Sequence, residues 1–235
     1  MLLKIAARLP DSLQLELKRL RYARQIGRGD FRSPEPEYDL LPHWLAPGSV
    51  AIDVGANVGH YTLKLAGLVG PGGRVLAFEP VPTTFALLAA NVQRSGSSNV
   101  TLINAAASNR AAFLNMVVPD STPGVRNYYQ AQLSDGGDLS VLSVTIDSLN
   151  LPPSVALVKI DAEGHETAIL DGMRQLIARD QPVLILERSS SQIVDSMEEA
   201  GYRCGMIDGS PNYVMLPANH RWPAGLQRFS HDSRA

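Results

Sequence analysis

Residues 49–70 read SVAIDVGANVGHYTLKLAGLVG, and this stretch decides the fold. SVAIDVG is a short apolar run that ends on an acid and a glycine, as a buried strand does. GHYTLKLAGLVG then reads as a helix, closed by the turn GPGG at 70–73. Outward from this unit the alternation continues. RVLAFEP (74–80) is a second strand, TTFALLAANVQRSG (83–96) a second helix and NVTLINAAA (99–107) a third strand. After an irregular stretch come strand VALVKID, helix ETAILDGMRQLIARD, strand PVLILE, helix SQIVDSMEEAG and strands YRCGMI and NYVMLP. Such alternation predicts an α/β fold, a mostly parallel sheet with helices on both faces.

The stretch from Ala111 to Asp147 breaks the rhythm, with β-like FLNMVVP and LSVLSVTID around the polar DSTPGVRNYYQAQLSDGGD. An insertion of this kind sits over a sheet edge or the mouth of a site. Residues 1–46 also differ from the rest. DSLQLELKRLRYARQIGRG (11–29) predicts a helix capped by Asp11 or Ser12 and stopped at Gly27 or Gly29, and RSPEPEYDLLPHW (32–44) reads as an extended linker. Lys4, Arg8, Lys18, Arg19, Arg21, Arg24, Arg28 and Arg32 make this region basic. It is suited to packing its leucines on the main domain, or to peripheral contact with an anionic membrane surface or an acidic partner. The expected organisation is an N-terminal extension over 1–46, one domain over 47–217 with the insertion at 111–147, and a tail over 218–235.

A chain of 235 residues supports one sizeable core. The net charge of -2 offers no basic field for a phosphate backbone, so nucleic acid is not an expected partner. Cys204 is the single cysteine, which rules out an intrachain disulfide and reads as a small buried apolar residue. MLLKIAARLP is too short for a spanning helix and lacks the features of a signal peptide, so a cytoplasmic location is expected.

In open α/β sheets, ligands bind beyond the carboxyl ends of the strands. Those ends carry DVGANVG, FEP, NAAAS, KIDAEGHE and LILE. The first places Gly55 and Gly59 in a Gly-x-x-x-Gly spacing, with Asn57 between them and Asp53 two residues ahead. This is not the GxGxxG turn that cradles a pyrophosphate. An acid beside the turn repels phosphate and suits a cationic ligand end, while Glu79 at the end of the second strand can accept both hydroxyl protons of a ribose. Together these residues read as a site for S-adenosylmethionine.

IDVGANVGHYT, VLAFEPVP, NVQ with SSNVTLINAAAS, VTIDSL, LVKIDAEGHE and PVLILE, in this order, resemble the FkbM family of S-adenosylmethionine-dependent methyltransferases from about Gly48 to Glu187. The resemblance implies a Rossmann-like class I methyltransferase with a seven-stranded sheet and an antiparallel last strand. It also implies methyl transfer to a hydroxyl of a small-molecule, sugar, glycan or polyketide-like acceptor. On it, Asp53, Gly55, Asn57, Gly59 and Glu79 carry over as cofactor residues, and Ala106 and Ala107 line the adenine.

LVKIDAEGHE gathers Asp161, Glu163, His165 and Glu166 just past a strand end. A positioned base accelerates methylation of a hydroxyl by roughly 10² to 10⁴. His165 is the expected base, with Asp161 or Glu163 as its orienting partner, and the helix N-terminus lowers its pKa while the two acids raise it. Glu166 reads as a helix cap, and Lys159 either snorkels or pairs with a neighbouring acid. A second mechanism places a hard divalent cation such as Mg²⁺ on Asp161, Glu163 and Glu187, where it would acidify the hydroxyl directly. Trp44, Tyr128 and Tyr129, with Arg221 and Trp222 in the tail, are candidates either to stack on an acceptor ring or to pack as lids. The competing functions are an N-methyltransferase, although DAEG stands where NPPY-like turns are expected, a nicotinamide dehydrogenase, and a non-catalytic cofactor-binding scaffold.

Overall fold

The computed structural model describes residues 10–122, 125–126, 131–134, 136–152, 154–187 and 191–228. Helix α1 (Asp11–Arg28) comes first, followed by β1 (Val50–Val54), α2 (His60–Val69), β2 (Arg74–Phe78), α3 (Pro82–Ser95) and β3 (Val100–Ile103). The irregular region supplies β4 (Ala106–Ala107), β5 (Ala112–Val117), β6 (Asp120–Thr122), β7 (Val125–Arg126), β8 (Gln132–Leu133) and β9 (Leu139–Val144). Then follow β10 (Val155–Ile160), α4 (Glu166–Asp171), α5 (Arg174–Asp180), β11 (Val183–Glu187), α6 (Ser191–Glu199), β12 (Tyr202–Ile207), β13 (Asn212–Pro217) and β14 (Leu226–Arg228).

The main sheet runs in the order β14-β12-β13-β11-β10-β1-β2-β3. Strands β3, β2, β1, β10 and β11 are mutually parallel, and β13 pairs antiparallel with both β11 and β12. This is the expected mostly parallel sheet with its antiparallel strand. It is one strand wider than the seven expected, because Leu226–Arg228, in the stretch assigned to the tail, adds β14 beside β12. Strand order reverses between β1 and β10, so the crevice of an open α/β sheet opens at their carboxyl ends.

Every residue of β1 is buried, with alternate side chains on opposite faces. Ile52 and Val54 join Phe78, Ile160, Ile169 and Ile193 on one face, whereas Ala51 joins Leu65, Val69 and Leu157 on the other. The second face is completed by Tyr38, Leu41 and Trp44. The stretch expected to be an extended linker therefore packs as core. Pro36 and Pro42 each sit in the first turn of a short 3₁₀ helix, Pro36–Asp39 and Leu41–His43, where the missing N–H costs nothing. Buried Glu37 locks it in place, accepting hydrogen bonds from Ser210 Oγ at 2.7 Å, Tyr61 OH at 3.3 Å and Asn212 Nδ2.

Pro10 takes the N-cap position of α1, so Asp11 and Ser12 already lie in the helix, and Gly29 at φ 75° ends it as expected. One face of α1 docks through Leu15, Tyr22 and Ile26 against Val58, Leu63 and Leu87. Not all of its leucines pack: Leu13, Leu17 and Leu20 stay exposed. Among the described residues, no helix is long and apolar enough to cross a membrane. The irregular region forms a second sheet in the order β4-β9-β5-β8, with β6 and β7 as a separate hairpin. Since β4 follows directly from the end of β3, this sheet is anchored beside the crevice.

Candidate active site

The turn after β1 is built by close approach. Gly55 and Ala56 both donate backbone N–H groups to Phe78 O, at 3.0 and 2.9 Å, which ties the turn to the end of β2. On its other side Asp161 N donates to Val54 O at 3.0 Å. Gly55 has φ 73°, and a Cβ there would lie 1.8 Å from Asp161 O, so no larger residue fits. We predict that Gly55→Ala destabilises the fold by about 3 kcal/mol, the sum of a left-handed backbone penalty and overpacking against main chain. Urea titration checks this, and an unchanged midpoint would contradict it. Gly59 (φ 98°) opens α2, with Leu88 against the position of its absent Cβ.

Glu79 lies just past the end of β2 with only 5% of its surface exposed. Asn57 N donates to its Oε2 and Val81 N to its Oε1, each at 2.9 Å. One N–H per oxygen fixes the carboxylate and leaves each oxygen free to accept again. Burial pushes its pKa up to about 7, against those two hydrogen bonds. Asn57 adopts φ 50°, and its Oδ1 is buried without a hydrogen-bond partner. A buried acceptor left open in this way is a place for a ligand donor.

Asp53 corrects the expectation that it faces the ligand. Its neighbour Val54 lines the crevice, so Asp53 points to the opposite face of β1, where Thr62 Oγ1 of α2 donates to its Oδ2 at 2.5 Å. It is 2% exposed, and burial raises its pKa to about 6. Asp53 thus braces the start of α2 behind the glycine turn.

Gly55, Asn57, Glu79, Ala106, Ala107, Asp161, Glu163 and His165 line a single cavity of about 260 Å³. Ala105, Phe78, Val81 and Ile169 extend its apolar wall, and Met116 and Leu133 of the second sheet close over it. Beyond β10 the charged groups separate. Asp161 pairs with Lys159 at 3.1 Å, and Lys159 itself is buried, with Nζ 5.0 Å from the centre of the Tyr61 ring. Glu163 sits at φ 49°, a costly conformation for a long side chain. Burial and then Asp161 raise its pKa. Glu166 Oε1 accepts from Ala162 N at 3.4 Å and Gly164 N at 3.2 Å, so it ties down the turn that precedes α4 and does not cap the helix's own N–H groups as expected.

His165 is the N-cap residue of α4, and its Nε2 lies 2.9 Å from Ser108 Oγ. Its partner is therefore this buried serine from the end of β4, and not Asp161 or Glu163 as expected. Burial lowers its pKa, Arg110 adds to the lowering, and Glu166 is the acid that opposes it. The imidazole is thereby kept neutral near pH 7. Asp161, Glu163 and Glu187 each bring one oxygen within 4.8 Å of the others, and burial followed by Asp161 pushes Glu187 up to about 7.

Trp44 is buried in the core and cannot stack on an acceptor. Trp222 is engaged with Leu226 O at 2.6 Å and flanked by Arg203 and Arg228. Tyr128 and Tyr129 lie outside the described residues.

Residues 53–204 match the family described as the Methyltransferase FkbM domain. The chain belongs to the FkbM family of S-adenosylmethionine-dependent methyltransferases. The 31-O-demethyl-FK506 methyltransferase FkbM of Streptomyces tacrolimicus is 54% identical over 50 residues, which cover 21% of this chain and 19% of that protein. The hexuronic acid methyltransferase AglP of Haloferax volcanii is 28% identical over 147 residues, 61% of this chain and 58% of that one. A crystal structure of methyltransferase FkbM from Methylobacillus flagellatus KT superposes with a TM-score of 0.53 at 18% identity, covering 72% of this chain and 44% of that chain. The chain thus spans less than two thirds of each of these relatives.

The residues of this site fit the family's cofactor. The open Asn57 Oδ1 and the two free acceptor positions of Glu79 match a ligand rich in N–H and O–H donors. The alanine wall of β4 offers a flat apolar surface and no side-chain hydrogen bond, as a purine held by shape requires.

Proposed function

We propose that this protein transfers methyl from S-adenosylmethionine to a hydroxyl of a sugar, glycan or polyketide-like acceptor. The observation that carries the reading is one cavity lined by the acceptors Glu79 and Asn57 together with His165 from the start of α4, whose pKa burial lowers. The Haloferax relative, named for a sugar acid, supports a sugar acceptor. When bound, S-adenosylmethionine supplies a methyl group on a sulfonium; the C–O bond forms as the C–S bond breaks, and the electron pair stays on sulfur.

The protein's part is alignment, charge and the proton. Glu79 accepts the ribose hydroxyls, and Ala105 to Ala107 with Val81 and Ile169 exclude water from the purine. Asp161 and Glu163 set a negative potential beside the cationic sulfur. Ser108 Oγ holds Nε2 at 2.9 Å, and in the tautomer that donates Nε2–H to that hydroxyl His165 has Nδ1 free to take the acceptor's proton. Asp161, Glu163 and Glu187 would be the ligands of a divalent cation, but the Lys159 ammonium already offsets part of their charge. Labelled-methyl transfer to a panel of sugars and small alcohols tests the reading, and it is expected to survive EDTA. Cofactor binding without transfer to any acceptor would favour a scaffold. Loss on chelation, restored by Mg²⁺, would reassign the three carboxylates as metal ligands.

A further inference from the structure

A second cavity, of about 340 Å³, lies on the other side of His165. Among its lining are Asn109, Arg110, Asn115, Leu133 and Ser134 together with His165. His165 and Leu133 belong to both cavities, so the imidazole stands at the junction between them. That volume is within the range of small-molecule sites, about 300 to 1,000 Å³.

The two linings differ in chemistry. Among the described residues, the cofactor cavity carries Glu79, Asp161 and Glu163 and no cationic side chain, whereas the second has Arg110 and no carboxylate. Arg110 is exposed and makes no ion pair or side-chain hydrogen bond among the described residues. Its charge nonetheless reaches His165, where it lowers the imidazole pKa. Asn109, Asn115 and Ser134 line the same cavity with groups that can both donate and accept, the equipment needed to bind hydroxyls. An unpaired guanidinium beside such groups favours an anionic oxygen group, which it can hold through two parallel N–H donors.

We propose that this second cavity is the acceptor subsite, and that it selects a polyhydroxylated ring carrying an anionic oxygen group, a sugar acid or a sugar phosphate. The inference rests on the methyltransferase reading above. Arg110 anchors the anion at the far end, the amides and hydroxyls hold the ring, and one ring hydroxyl reaches His165 at the mouth of the cofactor cavity. Arg110 is a specificity residue on this account and acts on the proton transfer only through its effect on the His165 pKa.

The test uses the full chain saturated with S-adenosylhomocysteine, whose binding is measured first by calorimetry. Glucuronate, glucose 6-phosphate and glucose are then titrated in turn against the unaltered protein, Arg110→Gln and Asn115→Ala. At least one of the anionic sugars is expected to bind tenfold or more tightly than glucose, and Arg110→Gln is expected to abolish that preference while S-adenosylhomocysteine binding stays unchanged. Asn115→Ala should weaken the sugars without altering the preference. A glucuronate preference identifies a carboxylate-bearing acceptor, and a glucose 6-phosphate preference a phosphate-bearing one. Equal binding of all three sugars, or a preference that survives Arg110→Gln, would overturn the subsite. Failure of S-adenosylhomocysteine itself to bind would instead overturn the cofactor assignment on which it rests.

Discussion

Replacing His165 with asparagine is expected to lower turnover by roughly 10² to 10⁴-fold, the contribution of a positioned general base, with little change in cofactor affinity. The geometry gives this substitution a specific meaning. Asparagine is a favoured residue at the N-cap of α4, where the imidazole makes no side-chain cap; it is too short to meet Ser108 Oγ as Nε2 does at 2.9 Å, and it has no basic nitrogen with which to accept a proton. The fold should therefore be retained while the chemistry is lost. A companion variant, Ser108→Ala, removes the group that orients the ring and should shift the pH profile of turnover, because the imidazole loses its hydrogen-bond partner at Nε2. Rapid-quench measurement of a single turnover separates the chemical step from product release. Unchanged single-turnover rates in His165→Asn would remove the histidine from the mechanism and leave the carboxylates, with or without a metal, to activate the hydroxyl.

Glu79→Ala is expected to weaken S-adenosylhomocysteine binding by roughly 10² to 10³-fold. The substitution removes two charge-assisted acceptors for the ribose and also strands the Asn57 and Val81 N–H groups that Glu79 now satisfies. The two lost ribose hydrogen bonds, at about 1.5 to 3 kcal/mol each, set the loss of affinity, whereas the stranded N–H groups weaken the turn in free and bound protein alike. Glu79→Gln keeps one carbonyl oxygen for one of those N–H groups and should lose less, about tenfold. Binding should also depend on pH. Burial raises Glu79 to about 7, above its ordinary value of 4.5, so part of the free protein holds a proton there near neutrality. A ribose that donates both hydroxyls requires the ionised form, so binding releases that proton. Affinity should therefore rise between pH 6 and 8 and level off above. Calorimetry in buffers of different ionisation enthalpy reads the released proton, and a flat profile would mean that Glu79 does not hold the ribose.

The parts of the site that were legible in the sequence are the local ones. Gly55, Asn57 and Gly59 announce a tight strand-to-helix turn by spacing alone, and Glu79 stands where the second strand must end. Lys159 and Asp161 lie two residues apart on a strand and its exit, so their pairing needs no tertiary knowledge. What escaped depends on contacts between distant segments. Ser108 reaches His165 across 57 positions, and Glu37 reaches Ser210 across 173, which turned an expected linker into a buried part of the core. Asp53 is different, because the signal was present: in a strand whose Val54 faces the crevice, period-two alternation turns Asp53 the other way. The short edge strand β14, three residues long, has no periodicity from which it could be read.

A crystal structure of the protein with S-adenosylhomocysteine tests the central claim most directly. The account predicts the ribose hydroxyls on Glu79, the purine against Ala106 and Ala107, and the sulfur turned toward Asp161 and His165 with the second cavity open beyond it. A nucleoside bound elsewhere, or a sulfur facing away from His165, would contradict it.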